Sequence, residues 1–305
     1  MSRYSYSSST LGMANRLREV QQLLRLARQG RSTGVDWVVG LYERTSARVA
    51  RVRGTAGPLE NLNGLDIGPG QQLGCLRCFA LKNQMTGIDT DVIAQGFSPF
   101  DYVRMLRHNT ALRTAKTLVR KLLGVDASFA AQIAEHFGVR RFPPFSVLRM
   151  SATQMRFPND SFDFVYSHSV FEHIDDPEAA LREVRRVLKP GGVADISIHL
   201  FTSHSGSHDP KVFAQGTDPP LWPHLRDAYK HTVHPNTYLN KVSLQQWREI
   251  FARVMPGAEL TYDSQAWELS DRLSELRQSG ELAEYSDEDL MTVNLIGTWG
   301  KPTLG

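Results

Sequence analysis

Asn63-Gly64-Leu65-Asp66-Ile67-Gly68-Pro69-Gly70 joins a short apolar strand to a glycine turn. Leu65-Asp66-Ile67 is the strand, and in the turn Gly68-Pro69-Gly70 the backbone can meet a ligand where any Cβ would collide. Outward from it, strands and helices alternate. A helix is predicted over residues 73–81, a second strand at 86–89, and further strands at 146–149, 162–167 and 192–200. Between the last two, Asp176-Pro177 supplies an N-cap and a first-turn proline. Leu181, Val184, Val187 and Leu188 form the buried stripe of that helix, and Lys189-Pro190-Gly191-Gly192 ends it. Residues 244–254 read as helix, and 259–263 and 292–299 as strands. Such alternation predicts an α/β fold with a mainly parallel sheet and helices on both faces.

Flanking this pattern, residues 1–57 read as a helical appendage. Leu17, Val20, Leu23, Leu24 and Ala27 form one stripe that Gly30 can stop; a second pattern over 35–52 is broken by Gly54, Gly57 and Pro58. The main domain then spans 58–305, with insertions at 96–144 and 201–242. Extra segments after the carboxyl ends of strands are where such a fold builds a substrate site. The first insertion is basic: Arg104, Arg107, Arg113, Lys116, Arg120 and Lys121 lie between Asp101 and Leu123, with Asp101 the sole acid. Val103, Leu106, Leu118 and Leu122 are expected on the opposite face. A solvated helix face is the ordinary meaning of such a run; an anionic partner is the other.

Composition narrows the setting. With 41% hydrophobic and 22% charged residues, the chain of 305 has the make-up of a soluble protein. No apolar run reaches the ~18 residues of a membrane span, and the N-terminus lacks a secretory signal. Cys75 and Cys78 are the two cysteines. They cannot build a disulfide framework, so a cytoplasmic location is expected. Their spacing is half a zinc site without a second half, and they read as small buried residues on the helix after the turn. A formal net charge of +3 is too small to argue for nucleic acid.

The glycine turn alone suits several nucleotide-like cofactors. A nicotinamide fingerprint would place glycine at 73, where Leu73 stands, and a P-loop would need Gly-Lys-Ser/Thr, which the chain lacks. Asp89 lies nineteen residues after Gly70, at a strand end where a carboxylate can accept both ribose hydroxyl protons.

A second constellation is more specific. Met155 through Ser167 (MRFPNDSFDFVYS), then Val170-Phe171-Glu172-His173-Ile174, Asp176-Pro177 and Arg186-Val187-Leu188-Lys189-Pro190-Gly191-Gly192 follow one another in order. With the Asp66–Gly70 turn and Asp89, this resembles the UbiE-like, type 11 family of class I S-adenosylmethionine (SAM)-dependent methyltransferases over residues 60–200. The resemblance implies a Rossmann-like seven-stranded sheet, SAM as cofactor, and roles for single residues. Gly68 and Gly70 would border the methionine part, and Asp66 would fix the turn or hold the amino group. Asp89 would hold the ribose. Ser151-Ala152 takes the place of the family's Asp-Ala beside adenine, and Gln72 that of its third glycine. Ser167, with His168, would face the transferring methyl. Glu172-His173 belongs to the family signature as a pair shaping the cofactor wall. Ser167-His168-Ser169-Val170 does not match the Asn/Asp-Pro-Pro-Tyr of amino-directed nucleic-acid enzymes, which argues against base methylation.

Six of the ten histidines fall in or beside the second insertion: His199, His204, His208, His224, His231 and His234. Their spacing is unlike a helical His-Glu-x-x-His pair, and no metal site is assigned. A general base is expected among them, His204 first and His208 second, with His168 the main competitor. Trp222, Tyr229, Tyr238 and Trp247 accompany them and could stack on a ring or sugar, although core packing is their commoner use. The expected activity is in-line methyl transfer to a small molecule or glycan, favouring oxygen. The alternative is a SAM-fold binding or regulatory protein without turnover, suggested by Ser151 and Gln72.

Overall fold

The computed structural model describes residues 34–55, 57–209, 212, 220–235 and 237–303. The stripe from Leu17 to Ala27 lies outside the described residues. Five strands run parallel: β1 (Asn63–Ile67), β2 (Gln84–Asp89), β3 (Ser146–Arg149), β4 (Phe162–His168) and β5 (Leu188–His199). β6 (Glu259–Gln265) pairs antiparallel with β7 (Thr292–Gly300), which pairs antiparallel with β5. The sheet order is β3-β2-β1-β4-β5-β7-β6, and the fold is the α/β class read from the sequence.

Strand alternation divides the core into two layers. On one face Leu65, Ile67, Val165, Ile196 and Ile198 pack against α6 (Pro177–Val187) and α7 (Leu244–Val254). α6 starts where Asp176 accepts a hydrogen bond from the Ala179 amide at 2.9 Å. Its Leu181, Val184 and Val187 are fully buried, each contributing about 1.5–3 kcal/mol. On the other face Phe164, Tyr166 and Val193 meet α1 (Val35–Arg53) and α2 (Gly74–Ala80) through Val49, Leu76 and Phe79.

One boundary departs from the sequence reading. Lys189-Pro190-Gly191-Gly192 ends the helix as expected but is itself drawn into β5. Leu188 pairs with Phe162, and the register shifts before Phe164 meets Val193. The reason is the chain end: the Gly191 amide donates to the Lys301 carbonyl and the Lys301 amide to the Gly192 carbonyl, both at 2.8 Å.

Insertion 96–144 folds as α3 (Pro99–His108), α4 (Ala111–Leu122) and α5 (Val125–His136). Here the expected apolar face is corrected. Val103, Leu106, Leu118 and Leu122 are all exposed, and the helices bury Met105, Thr114, Thr117, Phe129 and Ile133 instead. Much of the basic run is also answered internally: Arg104 by Asp101 at 4.0 Å, Arg113 by Asp91 at 2.6 Å, and Arg120 and Lys121 by Asp126 at 2.5 and 3.5 Å. The described residues of insertion 201–242 are mostly irregular, and its Trp222 and Leu225 form a satellite core with α8 (Ser270–Gln278) and α9 (Asp287–Met291). Among the described residues no helix is long and apolar enough to cross a membrane.

Candidate functional site

Because β1 to β5 are parallel, their carboxyl ends share one edge. The strand order reverses between β1 and β4, and a crevice outside such a reversal is where open α/β sheets bind ligands. The edge receives Gly68–Gly70 from β1, Asp89 from β2, Ser151-Ala152 after β3, Ser167-His168 from β4 and His199 from β5.

Gly68 and Gly70 both lie in the left-handed region, at φ 76° and 67°. A Cβ on Gly68 would stand 2.3 Å from Cγ2 of Val170, whereas beside Gly70 the space is open. The close approach expected of a ligand is thus made at Gly68 by a side chain of the neighbouring loop. Ser167 donates its hydroxyl to the Ile67 carbonyl at 2.8 Å and locks β4 to the start of the turn. Ser151 is exposed, 2.8 Å from the Thr153 hydroxyl, and Ala152 is buried.

Asp66 faces Tyr166 across the β1–β4 ladder and accepts its hydroxyl at 2.5 Å. Burial pushes the Asp66 carboxyl up to about 7; the Tyr166 bond pulls against this, and the charge of Asp89 adds to it. Burial likewise raises Asp89 to about 6, opposed by the Asp91 amide, which donates to Oδ1 at 2.8 Å. Nothing local marks Tyr166 as a partner, since a tyrosine in an apolar strand reads as core. The linkage has a definite sign. A carboxyl raised on folding stabilises most below its unfolded value of 3.8, and that contribution is lost as pH rises through about 7. Between about pH 5 and pH 7, wild type should therefore lose stability relative to Asp66→Asn, by up to about 1.4 kcal/mol per pH unit. Urea unfolding at stepped pH measures this, and parallel curves for the two proteins would refute it.

The three candidate bases meet different neighbours. His168 packs edge-on to Trp37, with ring centroids 5.3 Å apart, and burial lowers it to about 4. His204 stands 6.4 Å from the Trp222 ring; its Nδ1 is buried without a hydrogen-bond partner, and burial lowers its pKa. His208 turns to His199 and His173, at 4.9 and 5.0 Å between centroids, and burial lowers it to about 3. Its loop is fixed by a tight fold-back: the Gly206 amide donates to the Ser203 carbonyl at 3.0 Å. A Cβ on Gly206 would lie 2.1 Å from the Phe201 carbonyl oxygen, so only glycine fits. Of the remaining loop histidines, His224 contacts the Phe201 carbonyl at 2.6 Å, and His231 and His234 are exposed. Trp222 and Trp247 are core residues; Tyr229 and Tyr238 are partly exposed. Cys75 and Cys78 are free thiols on α2, both raised chiefly by burial.

The fold also makes a cluster that the sequence analysis did not assign. Glu172, on the 3-10 turn after β4 (Phe171–His173), comes together with His199 and His208, and one ligand atom of each lies within 4.8 Å of the others. Glu172 and His199 lie twenty-seven positions apart, so no local spacing could have announced it.

Residues 108–195 match the methyltransferase domain model of the type 11 family. Over those 88 residues, less than a third of the chain, it is similar to that domain. The match runs from the end of α3 into β5 and leaves the glycine turn and Asp89 outside it. Sterol 24-C-methyltransferase erg6 of Aspergillus fumigatus is 35% identical over 82 residues, covering 27% of this chain and 21% of that one. An uncharacterized methyltransferase, YcgJ of Bacillus subtilis, is 29% identical over 161 residues, covering 50% of this chain and 53% of its own. The chain thus spans about half or less of the length of these curated relatives. Among solved structures, phosphoethanolamine N-methyltransferase 2 of Haemonchus contortus, in complex with SAM, superposes with TM-score 0.46 at 19% identity, over 86% of this chain and 53% of that one.

Proposed function

We propose that this chain is a SAM-dependent methyltransferase that transfers a methyl group to a hydroxyl of a small molecule or glycan. The observation that carries the reading is the reversal of strand order between β1 and β4. The Gly68–Gly70 turn, buried Asp66, half-buried Asp89, and Ser167 border it in the order that a nucleoside-containing cofactor requires. The residues fit SAM: open space flanks Gly70, and the Asp89 carboxylate stands at the strand end that suits a ribose. Ser151 takes the adenine side with a hydroxyl that also meets Thr153. When bound, SAM supplies an electrophilic methyl on its sulfonium.

What remains for the protein is alignment and proton removal. His204, on the loop that β5 delivers to this edge, is assigned as the base; its unpartnered Nδ1 can accept the acceptor's hydroxyl proton as the oxygen–methyl bond forms. Helices α3 and α4 cover the approach, and Arg104 and Arg107 are the side chains assigned to an anionic group on the acceptor or a partner. The free cysteines suit a reducing, cytoplasmic setting.

Calorimetry tests the cofactor. SAM or its demethylated product SAH should bind the wild-type protein with micromolar affinity. Asp89→Ala should weaken this by about 1–3 kcal/mol, the usual cost of losing hydrogen bonds to a charged group. Folded wild-type protein that binds neither compound would overturn the reading. Binding without SAH formation across a broad acceptor panel would favour a regulatory protein of the same fold.

A further inference from the structure

We propose that Glu172, His199 and His208 form a binding site for a divalent transition metal ion of the zinc class. Glu172 is 2% exposed, and neither of its carboxylate oxygens has a hydrogen-bond partner; Nε2 of His208 is likewise buried and unpartnered. Buried polar atoms are nearly always satisfied, so three orphaned atoms on two residues of one cluster call for a common partner. A cation answers all of them at once, drawing on the carboxylate and the imidazole lone pairs together.

The donor chemistry is selective. Two imidazoles and one carboxylate suit zinc or iron(II), and are a poor match for magnesium or calcium, which take oxygen ligands. Tetrahedral zinc with bonds of about 2.0–2.1 Å needs donor atoms about 3.3 Å apart. The group lies within 4.8 Å, so side-chain rotation of roughly 1 Å closes it. The surroundings already orient the ligands. The Tyr238 carbonyl stands 2.9 Å from Nδ1 of His173; a carbonyl can only accept, so Nδ1 carries the proton and Nε2 keeps its lone pair. That Nε2 lies 3.9 Å from Oε1 of Glu172, placing His173 as a fourth donor or an outer partner. The Ser205 hydroxyl holds Nε2 of His199 at 2.8 Å in the manner of an outer-shell contact.

The site stands at the carboxyl edge between β4 and β5. With three protein ligands, a position stays open for an oxygen of the acceptor. That use of the metal rests on the methyl-transfer reading; the site itself does not.

The test uses the full chain, stripped with a chelator and titrated with zinc chloride against a chromogenic competitor, and with cobalt(II) as a visible-absorption probe. One zinc per chain is expected, with cobalt bands of a low-coordinate nitrogen–oxygen site. Glu172→Gln and His208→Ala should each weaken zinc by more than about 100-fold, the upper end of what loss of an outer partner alone costs. His231→Ala, at an exposed position, should leave it unchanged. The thermal midpoint of wild type should rise with zinc and not with magnesium, a readout that needs no variant to fold. Sub-stoichiometric zinc without a thermal shift, or variants that retain wild-type affinity, would overturn the site and leave a neutral Glu172 sharing its proton with the histidines. SAM titrated in parallel separates the two readings: zinc bound without SAM sinks only the cofactor, and SAM bound without zinc sinks only the metal.

Discussion

His204→Ala is expected to slow methyl transfer by about 10²–10⁴-fold, the range a general base supplies, while SAM affinity stays at the wild-type value. The first reason is placement. β5 ends at His199, and the Leu200–Gly206 fold-back, tightened by Ser203 donating its hydroxyl to the Leu200 carbonyl at 2.8 Å, holds His204 at the carboxyl edge. The second is protonation. Burial lowers the His204 pKa from 6.5, with Glu268 opposing, so the imidazole is neutral and ready to accept a proton at neutral pH. The wild-type rate should accordingly be flat through neutrality and fall only in acid. The third is the condition of the rivals: burial holds His168 near 4 and His208 near 3, which makes both weaker bases. SAH formation, followed with an acceptor that gives turnover, together with calorimetric SAM binding, measures both halves. Unchanged turnover in His204→Ala would end the assignment, moving attention to His168 or to an acceptor, such as a carboxylate, that has no proton to lose.

What the sequence made legible follows from which features are local. The strand–turn at Leu65–Gly70, the Asp176-Pro177 helix start and the 244–254 helix depend on neighbours within a few residues, and the structure places all three as read. The extension of β5 back to Leu188 was not legible, because its partner is Lys301, more than a hundred residues away. The insertion failed for a related reason. Apolar periodicity in 103–122 identified helices but not which face meets the domain, and that face turned out to be lined by threonines and Met105. The same limit governs the site. Asp66, Asp89 and the glycines announce themselves by position after a strand, whereas Tyr166 beside Asp66, and Glu172 beside two histidines, exist only once strands far apart in the chain lie side by side.

Arg48→Ala should destabilise the fold by about 3–5 kcal/mol, because it strands a buried charge. Asp195 sits in the middle of β5, 1% exposed, between Tyr166 of β4 and Thr298 of β7. Arg48 reaches it from α1 in a two-pronged contact, Nε to Oδ2 at 2.7 Å and Nη2 to Oδ1 at 2.9 Å. Thr298 donates a further bond to Oδ2 at 3.1 Å, and Thr45 accepts from Nη2 of Arg48 at 3.2 Å. An exposed ion pair would contribute at most about 1 kcal/mol. Here water cannot replace the guanidinium, so the truncation leaves a desolvated carboxylate held by one hydroxyl. The charge, more than the lost contact, sets the cost, and this separates the account from simple loss of helix packing. Asp195→Asn placed in the Arg48→Ala background removes the stranded charge and should recover more than half of the lost stability. Urea denaturation of wild type and the two variants decides it: a loss below about 1 kcal/mol in Arg48→Ala would make the pair an ordinary surface contact. A large loss that Asp195→Asn fails to relieve would assign the effect to the packing of α1 on the sheet.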